Sequence, residues 1–438
     1  MANSKSRPSS DLLNHLQSRL SQHVEPGLHL SVALSGGIDS TVLLHTLVVS
    51  QSVLKPASIT AVHVHHGLSP NADAWESFCR QYCAQLGVTF RSQRVEVKAE
   101  GEGIEAGARR ARYAALEGSD CDWILLGHHR DDQAETVLLN LLRGAGVHGA
   151  AGMCEVRGKL LRPLLGVSRQ QVMTYAIQNS IPWIEDESNA DSRYRRNFLR
   201  HQVMPLLEQP FPQAAASLVR AADAFRDAAE LLDEVAQNDL GDVGFLTVPM
   251  LAALSIPRAT NLLAYYLRQQ GIQIPASAML KELLRQLVVA GGDSEICFTV
   301  GDRQVRCFQQ RVLVDAVAEP VSPVAWDGEA TAISWGAHQL HVCPAHGQGI
   351  DASLLRSAPL QFSPRRGGEL LQIRQDGPRR PLKDLLREAA IPPWRRKNLP
   401  ALYAGEELVW MAGIGIAAKY RCKPDAAGFL IEFDGVTW

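Results

Sequence analysis

Leu28-His29-Leu30-Ser31-Val32-Ala33-Leu34 runs without a break into Ser35-Gly36-Gly37-Ile38-Asp39-Ser40-Thr41, and Val42–Val49 follows as a mostly apolar stretch. The first seven residues have the length and apolar character of a buried strand, and the residues after the glycines read as a helix. Two adjacent glycines at such a junction let backbone amides turn toward an anion, and the helix behind them adds its positive end. Ser35, Ser40 and Thr41 offer hydroxyl donors for phosphate oxygens. Asp39 would repel phosphate directly, so its expected role is to hold a Mg²⁺ that bridges phosphates. A Walker A loop requires a Lys after its last glycine, which this loop lacks. Gly158-Lys159 lacks the upstream spacing and is followed by Leu160.

Outward from that loop, strands and helices alternate. Ile59–Val64, Val88–Val97 and Trp123–Leu126 read as strands, and Asp73–Leu86, Ile104–Leu116 and Asp131–Leu142 as helices. The alternation predicts an α/β domain over residues 1–213, a Rossmann-like parallel sheet with ligands at the carboxyl ends of its strands. Both glycine-containing turns, Ser35–Ser40 and Gly127–Asp132, fall there. Residues 214–318 are expected to form a mainly helical middle domain, with a hairpin of Glu295–Val300 and Gln304–Val314 around Gly301-Asp302. Residues 319–360, rich in Pro, Gly and Ala with one strand near His338–Cys343, read as a connecting region. Residues 361–438 read as a small, basic α+β domain.

The chain of 438 residues is too long for one ordinary domain, and 46% hydrophobic with 21% charged residues describes a soluble globular protein. No apolar run reaches membrane-span length, and Met1–Ser10 is polar, so a cytoplasmic protein with no membrane partner is expected. Eight cysteines are scattered with no Cys-x-x-Cys pair, which suits buried thiols in a reducing compartment. The net charge of −2 gives no global bias toward nucleic acid, yet residues 365–397 carry ten Lys/Arg against four Asp/Glu. A second basic cluster is Arg193, Arg195, Arg196 and Arg200.

Ser-Gly-Gly-x-Asp-Ser resembles the PP-loop of the N-type ATP pyrophosphatases, which cleave ATP between the α and β phosphates and pass AMP to a carbonyl oxygen. Further strings narrow the resemblance: Val62-His63-Val64-His65-His66-Gly67-Leu68-Ser69, Glu105-Ala106-x-Ala108-Arg109-x-Ala111-Arg112-Tyr113, and Leu126-Gly127-His128-His129-Arg130-Asp131-Asp132-Gln133-Ala134-Glu135-Thr136. To these add Trp183-x-Glu185-Asp186-x-Ser188-Asn189, Arg196-Asn197-x-Leu199-Arg200, and, near the C-terminus, Leu382–Leu386 with Ile391-Pro392-Pro393-Trp394-Arg395-Arg396. In order and spacing they are similar to the tRNA(Ile)-lysidine synthetase family, most weakly between residues 214 and 355.

That resemblance implies a ligase forming a carbon–nitrogen bond. ATP adenylates the wobble cytidine of an isoleucine tRNA with a CAU anticodon, and free L-lysine displaces AMP to give lysidine. ATP and Mg²⁺ are the implied small-molecule requirements. Ser35–Thr41 with His63 would line the nucleotide pocket. Asp132 and Glu135, three residues apart on one helix face, suit an ammonium group, and Arg109 or Arg112 a carboxylate. A carboxylate of this set would take the proton from the attacking amine. Arg193, Arg195, Arg196 and Arg200 would hold phosphates near the anticodon, and Arg379, Arg380, Lys383, Trp394, Arg395, Arg396 and Lys397 would contact the tRNA body.

Other readings compete at several positions. His63, His65, His66, His128 and His129 resemble a metal cluster, although strand-end placement suits pocket lining better. Asp131, Asp132 and Glu135 also fit dipole-favoured residues of a helix start. A tRNA thiolation enzyme would share the adenylation step but usually needs paired cysteines. An amidotransferase would leave the basic C-terminal half unexplained, and a non-catalytic RNA-binding module would leave the intact loop unexplained. Oligomeric state is open, with a homodimer as one reading.

Overall fold

The computed structural model describes residues 8–67, 69–97, 104–187, 193–274, 277–289, 296–317, 320–354 and 358–434. It divides into two compact units, Met1–Glu234 and Val235–Trp438. The cut falls inside one long helix, Ala214–Leu240, which begins where the middle domain was expected to start. None of the helices among the described residues is long and apolar enough to cross a membrane.

The first unit is built on helix α1 (Pro8–Leu20), strand β1 (His29–Ala33), α2 (Ile38–Val49), α3 (Gln51–Leu54), β2 (Ser58–His65), α4 (Ala72–Leu86), β3 (Thr89–Arg94), α5 (Ile104–Glu117), β4 (Trp123–Leu125), α6 (Arg130–Leu142), α7 (Val147–Ala150), β5 (Val156–Arg157), β6 (Leu160–Leu161) and α8 (Arg169–Gln178). The sheet order is β3-β2-β1-β4-β6-β5. Every neighbouring pair is parallel except the final β5–β6 pair. Strands buried on both faces read as apolar runs, which is why β1, β2 and β4 were visible in the sequence. One face packs Leu30, Val32 and Leu161 against Leu12, Leu16, Val42, Cys79 and Val172 from α1, α2, α4 and α8. The other face packs Val62, Ile124 and Leu160 against Leu116 and Tyr113 of α5. Two-residue strands such as β5 and β6 are too short to leave a period, and α1 and α8 were not assigned either.

After α8 the chain forms α9 (Arg195–Phe198), a π-helical turn over Leu199–Val203, α10 (Met204–Glu208) and α11 (Ala214–Leu240). Ser188 and Asn189 lie outside the described residues.

In the second unit, α12 (Val248–Ala252), α13 (Ile256–Gln269) and α14 (Ser277–Val289) share a core with β7 (Cys297–Val300), β8 (Arg303–Phe308) and β9 (Arg311–Ala316). The expected two-stranded hairpin is a three-stranded meander. Gln309 and Gln310 both take positive φ, 46° and 62°, and break Gln304–Val314 into two strands.

Residues 319–360 correct the expectation of a connecting region. They supply strands Val324–Trp326, Ala332–Trp335, His338–His346 and Ile350–Asp351. His338–His346 pairs antiparallel with Ala427–Phe433 near the end of the chain. Trp326 and Trp335 enter the same core as Phe362, Leu402 and Val409. Gly328, Gly336, Gly347 and Gly349, part of what suggested a linker, sit between these short strands, whereas Pro344 lies within His338–His346.

Candidate functional site

The Gly-rich loop closes on itself. The Ser35 amide donates to Ser40 Oγ (3.2 Å), the Gly37 amide to Ser35 Oγ (3.3 Å), and Ser40 Oγ donates to the Gly37 carbonyl (2.9 Å). Gly36 takes φ +89°, and a Cβ there would meet Ile184 Cδ1 at 2.9 Å. The Ile184 amide also donates to the Gly36 carbonyl (2.9 Å), so the Trp183–Asp186 stretch buttresses the loop. Gly37 is the N-cap of α2 with no side-chain cap, which leaves the helix amides and their dipole open to an anion. Thr41, expected as a phosphate donor, is wholly buried and its hydroxyl donates to the Gly37 and Ile38 carbonyls. It props the loop from within.

Gly127, at the end of β4, brings a second loop against the first. A Cβ at Gly127 would lie 3.0 Å from the Asp39 carbonyl oxygen. His129 then caps α6. The Asp132 amide donates to His129 Nδ1 (3.3 Å) and the His129 amide to Asp132 Oδ2 (3.0 Å). An accepting Nδ1 puts the proton of the neutral ring on Nε2. That nitrogen faces Asp39 Oδ1 at 3.6 Å and Asp132 Oδ2 at 3.5 Å. Asp39 Oδ1 is buried with no hydrogen-bond partner. Burial pushes the Asp39 carboxyl up, against the pull of His129, and the nearby Asp132 adds to the rise. A carboxylate with one enclosed, unpartnered oxygen has the chemistry to hold a divalent cation.

Asp132 and Glu135 are both buried, and they do share one face of α6. They are not vacant. Arg196 Nε donates to Glu135 Oε2 (3.0 Å) and its Nη2 to Asp132 Oδ1 (3.0 Å). Arg200 Nε donates to Glu135 Oε1 (2.6 Å) and its Nη2 to Asp132 Oδ1 (2.7 Å). Burial opposes ionisation of Asp132, but His129, Arg196, Arg200 and His128 outweigh it and hold the carboxyl below its usual range. Two arginines assigned to tRNA phosphates by sequence therefore sit on the acidic pair assigned to an ammonium group. No local pattern reveals a contact across more than sixty residues. Arg193 and Arg195, from the same cluster, are exposed.

Of the two helix α5 candidates, Arg109 is exposed and Arg112 partly buried, each near the Tyr113 ring at 5.5 and 5.7 Å. His63 is buried at the end of β2, its Nδ1–H donating to the Leu34 carbonyl (2.9 Å), and burial pulls its pKa down. Its Nε2 is thus the acceptor beside the Gly-rich loop. The five histidines do not converge on one point. Among the described residues one group of possible ligands does form, His65, Asp73 and Glu76, but Arg94 already pairs with Asp73 (2.7 Å) and lies 3.8 Å from Glu76. Arg162, after β6, went unnoticed in sequence. Its signal was position: it ends a strand beside β4.

The basic set of the second unit is mixed. Arg379, Lys383 and Lys397 are exposed. Arg380 pairs with Glu388 (2.8 Å), and Arg396 Nε donates to the Ile391 carbonyl (2.7 Å). Trp394 Nε1 and Arg395 Nε both donate to Asp315, each at 2.8 Å. Arg306 lies over the Trp394 ring at 4.8 Å. Trp394 and Arg395 thus tie residues 391–397 to the end of β9, a structural role the sequence did not suggest.

Three protein families match the chain in series: a PP-loop domain over residues 12–207, a TilS substrate binding domain over 246–313 and a TilS substrate C-terminal domain over 360–433. A tRNA(Ile)-lysidine synthase of Nitrosomonas europaea is 39% identical over 99% of this chain and 98% of its own length. The same-named proteins of Aromatoleum aromaticum and Azoarcus sp. are 43% and 41% identical, over 93% and 92% of this chain and 98% and 91% of their own lengths.

Proposed function

The chain belongs to the tRNA(Ile)-lysidine synthase family, and from that premise we propose that it joins free L-lysine to the wobble cytidine of an isoleucine tRNA with a CAU anticodon. The cytosine ring carbonyl oxygen attacks the α-phosphorus of ATP and pyrophosphate leaves. The lysine ε-amine then adds to the same ring carbon, AMP departs, and the amine proton passes to a carboxylate.

The observation that carries this reading is the meeting of the uncapped α2 N-terminus, Asp39 and the Asp132/Glu135 pair at the carboxyl ends of adjacent strands. Ser35–Ser40 cradle the phosphates through backbone amides, and His63 lines the nucleotide side. Mg²⁺ held by Asp39 would screen charge on the phosphates. Asp132, Glu135 and Arg109 or Arg112 bind lysine, once Arg196 and Arg200 exchange their carboxylates for phosphates of the incoming tRNA. Exposed Arg379, Lys383 and Lys397 hold the tRNA body, while Arg380 and Arg396 border them.

The two cysteines that lie four residues apart on α4 do not favour a thiolation route. Burial pushes Cys79 up to about 12 and Cys83 up to about 11, so neither offers a ready thiolate. The test is direct. With ATP, labelled lysine and isoleucine tRNA bearing the wobble cytidine, label enters RNA and AMP accumulates. ATP left intact and RNA left unlabelled would overturn the reading.

A further inference from the structure

Arg196 and Arg200 occupy only one side of their helical segment, the side that meets Asp132 and Glu135. Phe198 stands two residues from Arg196, about 200° around the helix, and so lies on the opposite side, where it is 44% exposed. Tyr194, the N-cap of α9, is 43% exposed. The Phe198 amide donates to the Tyr194 carbonyl (2.9 Å), which sets the two residues one turn apart. Two aromatic side chains left in water beside each other form a surface that gains by being covered. The local charge says by what. Residues 193–203 hold Arg193, Arg195, Arg196 and Arg200 and no Asp or Glu. Rings interleaved with guanidiniums, and no carboxylate among them, bind single-stranded nucleic acid, with the cations on phosphates and the rings under bases. A second copy of this chain on the same surface would set exposed Arg193 and Arg195 against their own counterparts, which like-charge repulsion opposes.

We propose that Tyr194 and Phe198 form a stacking platform for the anticodon adenine on the 3′ side of the wobble cytidine. This rests on the reading of an isoleucine tRNA with a CAU anticodon as substrate, and it adds a base contact that arginines on phosphates do not supply. The cytidine reaches an adenylation site only when it leaves its stack. Its adenine neighbour then loses a stacking partner, and an aromatic ring replaces it. Phe198 lies across one helix from the acidic pair, roughly 10 Å, within reach of the next nucleotide of the same loop. Both rings are positioning residues: they hold the loop open and touch none of the reacting atoms. Stacking uses the face of the base and not its edge, so the platform holds the adenine without reading the rest of the tRNA.

The experiment measures binding of the full chain to two forms of isoleucine tRNA, one intact and one with an abasic nucleotide in place of that adenine. Phe198→Ala is expected to weaken binding of the intact tRNA about 10- to 100-fold, and Tyr194→Ala to weaken it in the same direction. Both variants should bind the abasic tRNA within about twofold of the wild type, because no base is left to stack. Phe198→Trp, which keeps a ring, should hold wild-type affinity for the intact tRNA. Phe198→Leu keeps an apolar side chain and loses the ring, and it reads the same comparison if Phe198→Ala does not fold. Unchanged affinity for the intact tRNA, or equal losses on both tRNAs, overturns the proposal. So does sedimentation that shows a wild-type dimer separated by Phe198→Ala, which would give the surface to a second copy. Failure of the wild type to bind isoleucine tRNA or to join lysine to it would instead remove the functional reading.

Discussion

At the scale of single residues, the site is defined by which polar atoms have partners and which do not. Asp39 Oδ1 has none, although it is buried and faces a histidine nitrogen at 3.6 Å. Asp39→Asn keeps the shape and removes the charge, so pyrophosphate release should fall at least about 100-fold while tRNA affinity stays near the wild-type value in a filter-binding assay. Glu135 is 3% exposed and receives three donors from two arginines. Glu135→Ala leaves both guanidiniums short of a counter-charge, and urea unfolding should report a loss of about 3 kcal/mol. The histidines set the response to acid. Burial lowers the pKa of His15, His45, His63, His66 and His128. Below the ordinary value near 6.5 the unfolded chain takes protons that the folded chain refuses, so stability is full above that pH and falls as pH drops. Unfolding free energy measured from pH 7.5 to 5 should decline, and His128→Asn should make the slope shallower.

At the scale of elements, the junction of β1 with α2 and that of β4 with α6 are two loops held backbone to backbone at Gly127. Gly127→Ala would force its Cβ against the Asp39 carbonyl. We expect a stability loss of about 1–3 kcal/mol with a larger proportional drop in adenylation, compared by thermal melting and pyrophosphate release. These junctions were legible in sequence because buried parallel strands are unbroken apolar runs and glycines mark where they stop. The capping by His129 was hidden, since histidine is not a preferred N-cap and only its ring orientation reveals it. Residues 319–360 misled for a related reason. Strands of two to nine residues punctuated by Gly and Pro resemble a linker until Trp326 and Trp335 are seen in a core with Phe362. The Arg196 and Arg200 pairings had no signal at all, because a basic cluster reads the same whether it faces solvent or a distant carboxylate.

At the scale of the molecule, two units carry different kinds of charge. Arg379, Lys383 and Lys397 of the second unit are exposed, so tRNA affinity should weaken steeply between low and physiological salt. Replacing all three by Gln should flatten the slope of log affinity against log salt by about two to three. The first unit behaves differently. Asp132 and Glu135 with Arg196 and Arg200 add up to zero charge, so the cluster works like an ion exchanger whose resident counter-ions are covalently tethered. A cation from solution enters only as a guanidinium leaves, one for one, and the net charge of the cluster does not change. Without tRNA, uptake of such a cation should therefore be nearly indifferent to ionic strength, and set instead by how readily the segment bearing Arg196 and Arg200 swings away.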